Sequence, residues 1–495
     1  MNRIKRFCVI SSVFFIVFSG IFIMPSDAAG AYSDYLDTVM DMVMEYYYKD
    51  ISRQELLEGA LRGIFDKTDD YTVFYNMKEA ESFFSSMEGN YQGIGVEIME
   101  TTEGALVTRV FKNSPAEGAG ILPDDIIVKV NGQDVKGLSV QDIANLIRGV
   151  KGSFVEIGII RGNSSDTVYY KVERNVVNLS PVEWKIYNDI MYIKLDSFSS
   201  NSSAYFEQAL KEADNRGIKK LVLDLRNNRG GEVSQAVNIA RLLVRRGIIT
   251  TLDFKSEEYM DAVYRSYLDK PKYVTAVLVN GNTASASEIL ASAIQDSGDG
   301  FLVGTKTFGK GVFQNMYPIL TPEAYERYRQ IYGESIVDGY EWMNRYRVQI
   351  LQSDILGWAK ITTGHYLTRN GRMIDGIGLE PDFLVEDYTI IDGIDVNSIK
   401  ELESASDIEL NGVGNDVYNC EKILKLKGYE IDAPDNILDP KTSDALKKYQ
   451  AENGVNVTGK LDKATKNKLN EELNKLRNTI DKPFAKAIEL LKLFR

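Results

Sequence analysis

Ser285, Lys310 and Gln314 are the residues of this chain whose types and spacing could do covalent chemistry. Ser285 stands in the run Thr283-Ala-Ser-Ala-Ser-Glu288, and after it Ile289, Leu290, Ala293 and Ile294 recur at helical spacing. That pattern predicts a helix with one buried face, beginning near Ser285. A hydroxyl there lies beside backbone N–H groups that lack intrahelical partners, at the positive end of the helix dipole, where an oxyanion would be stabilised. Further along, Lys310 lies between glycines in Phe308-Gly-Lys-Gly311, which would let backbone and substrate approach closely. A lysine works as a base only when neutral, which calls for desolvation and a polar, uncharged neighbour rather than a carboxylate. Gln314 is such a neighbour.

A second reading of the same residues is structural. Ser285-x-x-Glu288 is also a capping-box pattern, in which serine satisfies a backbone donor and glutamate reaches back. Taken locally, caps far outnumber nucleophiles. Composition bears on mechanism: the chain has one histidine, His365, and two cysteines, Cys8 and Cys420. A cysteine nucleophile is therefore poorly supplied, and a Ser-His-Asp triad has one possible base. A serine activated by lysine needs neither.

The elements that must position these groups follow from periodicity. Residues 191–195 and 221–225 alternate as half-buried or buried strands, each followed by a helical stretch, 202–213 and 233–245. Residues 272–279 form a further strand leading into the serine helix. Strand, turn and helix N-terminus in succession expose one side chain on a rigid edge, and an α/β core follows. Asn280-Gly-Asn-Thr-Ala-Ser-Ala-Ser-Glu-Ile289 and the stretch from Gly304 through Phe308-Gly-Lys-Gly-Val-Phe-Gln314 resemble the core of the carboxy-terminal processing proteases, a secreted Ser-Lys peptidase family. The resemblance implies Ser285 as nucleophile, Lys310 as general base and Gln314 as the group orienting the lysine. It makes Leu221-Val-Leu-Asp-Leu-Arg-Asn-Asn-Arg-Gly-Gly231 the strand and glycine turn of the oxyanion hole, with N–H groups of Gly231 and Ala286 as donors. The family usually has proline where this chain has Arg229, and often serine at Thr283; neither change touches the reacting groups, although Arg229 alters the charge beside them. By the same resemblance the protease core, residues 178–390, is an α/β fold of the ClpP/crotonase-like kind, and His365, on a strand, is structural.

At 495 residues the chain exceeds one ordinary core and predicts a multidomain α/β protein. Its formal net charge of −13 argues against nucleic acid as partner. Residues 1–31 carry Arg3, Lys5 and Arg6, then an apolar run, then small residues, and read as a cleaved secretory signal or a retained anchor; either exports the rest. Residues 32–88 form a helical region whose aromatic face packs on the chain or, as the family resemblance implies, supports a homodimer. Residues 89–177 resemble a PDZ domain. There the loop Gly93-Ile94-Gly95-Val96 presents N–H groups to a terminal carboxylate, and the strand after it pairs with an extended peptide. Arg148, at a helix end, is a solvated residue or a regulatory contact. Residues 315–356 depart from the family as a helical insertion, either a lid, a partner surface or a packed excursion. After a linker at 391–410, residues 411–474, with glycine and Asp-x-x-Thr punctuation as in Leu438-Asp-Pro-Lys-Thr442, resemble a peptidoglycan-binding module, which also serves elsewhere as a docking unit, and 475–495 form a last helix.

The expected function is an exported serine endopeptidase of the C-terminal processing type, at the cell envelope, needing no cofactor or metal. Its substrates are proteins with unstructured C-termini, and peptidoglycan is a further expected partner. The alternative is a non-catalytic scaffold in which PDZ and wall-binding modules flank a silent hydrolase core.

Overall fold

The computed structural model describes residues 27–494 except 102, 163–165, 179, 258, 387–389, 392 and 405. The expected targeting segment, residues 1–31, therefore lies almost wholly outside the described residues, and no described helix is long and apolar enough to cross a membrane. The chain divides into two compact units, Met1–Phe74 and Tyr75–Arg495. The first holds helices Asp27–Tyr46 and Arg53–Phe65. The second of these starts at a complete capping box: Ser52 N–H donates to Glu55 and Glu55 N–H to the Ser52 hydroxyl. Tyr32, Tyr35 and Tyr46 on the first helix, and Tyr48 just beyond it, are exposed.

In the larger unit a sheet in the order Val182–Tyr187, Ile190–Leu195, Lys220–Asp224, Val274–Val279, Gly300–Gly304, Phe383–Leu384 forms the centre. The first pair is antiparallel and the rest are parallel. Alternation along each strand divides the apolar residues between two faces. Leu221, Leu223, Val277 and Val279 point to one, where helices Ser202–Asn215, Val233–Leu243 and Ala286–Ser297 pack. Val222, Ala276 and Leu278 point to the other, which the C-terminal helix Lys482–Leu491 covers with Phe484, Ala487, Leu490 and Leu491. Burying each of the larger of these side chains contributes about 1.5–3 kcal/mol. A second, antiparallel sheet runs Val312–Leu320, Ile355–Leu367, Gly247–Phe254, Ala262–Ser266.

The insertion differs from the expectation in one respect. Residues 315–320 belong to the strand Val312–Leu320, which pairs along its length with Ile355–Leu367, and the helical part is Pro322–Tyr332 and Gly339–Tyr346. These helices have a core of their own, with Leu320, Ala324, Tyr328, Ile336 and Trp342 buried together. The Trp342 indole donates to the Ile336 carbonyl at 2.9 Å.

The PDZ unit is a six-stranded antiparallel sheet with Val96–Thr101 at one edge and helix Val140–Ile147 packed beside that edge. Three further helices, Asn415–Leu426, Pro440–Glu452 and Lys463–Ile480, enclose a separate core that includes Cys420. Asp439 and Asp462 cap the second and third by accepting from the N–H groups of Thr442 and Thr465, which explains the Asp-x-x-Thr punctuation. Burial pushes the Cys420 thiol well up, so it is no nucleophile.

Candidate active site

The strand Val274–Val279 ends, the chain turns through Asn280 to Ala284, and the helix Ala286–Ser297 begins, so Ser285 sits between two rigid elements. Its backbone takes φ 59° and ψ −120°. Such a conformation costs a residue other than glycine about 1–3 kcal/mol and persists where the surroundings enforce it. The enforcing contacts come from the segment after the strand Lys220–Asp224. The Thr283 hydroxyl donates to the Leu225 carbonyl at 2.9 Å, and the Asn228 carbonyl accepts from Ala284 N–H at 3.1 Å and the Ser287 hydroxyl at 2.9 Å. Gly230 completes the fit: a Cβ there would lie 2.9 Å from both the Ala284 oxygen and the Ser285 Cβ, and 3.0 Å from the Ala286 nitrogen.

Glu288 supplies the half of the capping box that reaches back, accepting from Ser285 N–H at 2.8 Å. Its own N–H goes to the Ser285 carbonyl at 2.8 Å, and the Ser285 hydroxyl makes no cap hydrogen bond. Glu288 is fully buried and does far more than cap. Oε1 accepts from the Thr307 hydroxyl at 2.6 Å and Gly309 N–H at 2.8 Å, and Oε2, besides Ser285 N–H, accepts from Lys310 N–H at 3.0 Å. One carboxylate oxygen thus holds the backbones of Ser285 and Lys310 side by side. Burial pushes this carboxyl up from its ordinary range, opposed by the Thr307 hydroxyl and the three N–H donors. The Tyr366 hydroxyl adds a second clasp, lying against the Lys310 carbonyl and 3.2 Å from the Ser285 carbonyl.

The Lys310 ammonium donates to Gln314 Oε1 at 2.9 Å, and Gln314 Nε2 donates to the Thr362 hydroxyl at 3.2 Å. The amide thus turns its oxygen to the lysine and its NH2 group to the threonine hydroxyl. The two glycines around Lys310 serve a purpose different from the one expected. A Cβ at Gly309 would lie 2.7 Å from Gly378 N, and one at Gly311 2.4 Å from Asp375 N. They admit the chain's own segment, 374–378, rather than a substrate.

Of the residues singled out in sequence, Ser285, Ala286, Lys310 and Gln314 come together, with Gly231 next to Gly230 in the turn beside them. Gly230 N–H is taken by Asn228 Oδ1 at 2.9 Å. The bridge between Phe198 and Gly231 uses the Gly230 carbonyl and Glu232 N–H, which leaves the Gly231 N–H on the opposite side. His365 takes no part in this cluster. It pairs with Val312 and Asp253 across the sheet, and since its neighbour Tyr366 faces Glu288, alternation turns the imidazole away. Arg229 is exposed. Behind the turn the buried Arg226 guanidinium bonds Asp224 at 2.6 Å and Asp481, the cap of the C-terminal helix, at 2.7 Å.

Sequence reasoning missed Tyr366, Thr307 and Arg226. A tyrosine on a buried strand looks like core, and a threonine in a loop carries no local pattern that marks it. In the PDZ unit Gly95, at φ 86°, abuts Ser114, and Ile94 accepts from Ala116 N–H at 2.8 Å, so the loop Gly93 to Val96 is held at the start of the edge strand. Arg148 is the exposed C-cap of helix Val140–Ile147.

Comparison with known proteins matches residues 189–385 to peptidase family S41, 106–161 to a PDZ domain and 413–469 to a peptidoglycan binding domain. The "Carboxy-terminal processing protease CtpA" of Bacillus subtilis is 31% identical over 466 residues, 93% of this chain and 90% of that protein. A "Probable CtpA-like serine protease" of Staphylococcus saprophyticus is 29% identical over 449 residues, 90% of this chain and 83% of its own. Among solved structures, a photosystem II D1 C-terminal processing protease shares 27% identity, with a TM-score of 0.38 over 71% of this chain and 86% of that one. The chain belongs to the carboxy-terminal processing proteases of peptidase family S41.

Proposed function

We propose that the protein is an exported endopeptidase in which Ser285 attacks the scissile carbonyl. Lys310 accepts the serine proton and returns one to the leaving amine. Gln314 holds the lysine amine by its oxygen, and the N–H groups of Ala286 and Gly231 receive the oxyanion. The observation that carries this reading is the Lys310–Gln314 hydrogen bond of 2.9 Å beside a serine in a strained strand-to-helix turn. A glutamine in that place orients the amine without adding a negative charge that would keep it protonated.

The substrate's loose C-terminal segment pairs with the edge strand Val96–Thr101 and ends at the loop Gly93 to Val96, as PDZ domains take peptides. The helical module at 413–469 addresses the enzyme to peptidoglycan at the envelope. The exposed tyrosines of Asp27–Tyr46 are the face assigned to a second copy.

Purified Ser285→Ala and Lys310→Ala chains should fold as the parent does and degrade casein about 1000-fold more slowly or worse. Wild-type rates in both would overturn the assignment and leave the scaffold reading. Labelling with a fluorophosphonate, followed by mapping of the modified residue, gives an independent result: the label is expected on Ser285.

A further inference from the structure

The insertion builds a cleft against the strand that carries Gln314. Its volume is about 620 Å³, and residues 315–317, directly beyond Gln314, form its floor. Tyr259, Tyr317 and Tyr340 line it, and Asp338 and Glu341 bring two carboxylates to the same space. Arg345 also borders the cleft but is bound by its own helix and loop, to Glu341 at 2.6 Å and Glu334 at 3.0 Å. Asp338 is half-buried, and its carboxylate accepts from Tyr340 N–H at 2.8 Å; among the described residues no cation pairs with it. Burial raises its carboxyl, and the charge of Glu341 adds to the rise. The platform is fixed: helix Gly339–Tyr346 stands on the strand through Gly339, where a Cβ would come within 3.1 Å of Pro318, and its Trp342 is fully buried.

We propose that this cleft is a substrate subsite that takes a lysine or arginine side chain of the bound peptide, with Asp338 as its counter-ion and the three tyrosine rings as its walls. A half-buried carboxylate without a cation is a site that gains from one, and phenol rings favour a cation over a neutral chain of equal length. The size suits a long side chain with room for its solvated head. Position follows from the strand. At about 3.3 Å per residue, residues 315–317 lie about 3–10 Å past Gln314, so an extended substrate alongside presents the side chain one to three residues beyond the one level with Gln314. This rests on the active-site reading above.

The test uses the full chain and a mixture of unstructured peptides, with cut sites read by mass spectrometry. Wild type should enrich Lys and Arg at one fixed position relative to the cut, about fivefold or more over Met and Leu. The pair Asp338→Asn and Glu341→Gln should erase the enrichment among the cut sites that remain; asparagine keeps the helix cap. No enrichment in wild type, or enrichment that survives both substitutions, overturns the subsite. Absence of any cleavage sinks the proteolytic reading instead, and the subsite is then decided by binding. Labelled lysine-bearing peptides should bind the Ser285→Ala chain about fivefold more tightly than norleucine versions, with the difference lost in the Asp338→Asn, Glu341→Gln background; equal binding overturns it.

Discussion

Replacing Glu288 by Gln is the most direct probe of how the site is assembled. Four close donors meet the carboxylate, the Thr307 hydroxyl and Gly309 N–H on one oxygen and Ser285 N–H and Lys310 N–H on the other, with the Tyr366 hydroxyl a longer 3.4 Å from the second. A glutamine has one accepting oxygen, so two of these four donors face an NH2 group. The cheaper orientation puts that group toward Thr307, whose hydroxyl can turn to accept, and strands Gly309 N–H. One buried donor without a partner costs about 1–3 kcal/mol, and the two retained bonds weaken from charge-assisted to neutral, about 1 kcal/mol each. Removal of a buried charge returns part of this, for a net loss of about 2–3 kcal/mol. The loop carrying Lys310 shifts against Ser285, and displacement of about 1 Å lowers the rate about 100-fold. Stability is measured by urea unfolding in the Ser285→Ala background, which removes self-cleavage; activity is measured as casein hydrolysis in the otherwise unaltered chain. A Glu288→Gln protein within about 0.5 kcal/mol and twofold of the parent would refute the reasoning.

Two further outcomes are expected. Gly230→Ala places a Cβ 2.9 Å from Ser285 Cβ at a φ of +98°; the serine turn must give way, and casein hydrolysis should fall at least about tenfold while the PDZ unit binds peptide as before. In the C-terminal module, burial pushes the Glu421 carboxyl up to about 7. A raised acid holds its proton more tightly when folded, so the stability it contributes is full below about pH 4.5 and is lost as pH rises through about 7. The loss is on the order of 3 kcal/mol, and calorimetry should show the module melting lower at pH 8 than at pH 5. Glu421→Gln should flatten that dependence.

How much of this was legible in the sequence depends on range. The serine helix, the lysine flanked by glycines, the buried strands and the Asp-x-x-Thr caps are written in neighbouring residues, where periodicity and turn chemistry act. Glu288 was visible as a capping partner because Ser285 is three residues away, yet its bonds to Thr307, Gly309 and Lys310 depend on a loop that only the folded sheet brings back. Tyr366 and His365 are adjacent in sequence, and strand alternation sends one into the site and the other away from it. The insertion's first residues read as helix by continuity with the tyrosine-rich stretch that follows them; pairing with Ile355–Leu367 decides for strand.

The bond between Arg226 and Asp481 spans 255 positions of chain. The guanidinium sits at the base of the turn that carries Gly230 and Gly231, and one of its two carboxylate partners, Asp481, arrives with the helix Lys482–Leu491. While the polypeptide is being made, that partner is missing and the sheet face under Phe484 is bare. Residues 285 and 310 are therefore joined to the growing chain well before the helix that props the turn beside them, so that turn gains its full support late in synthesis.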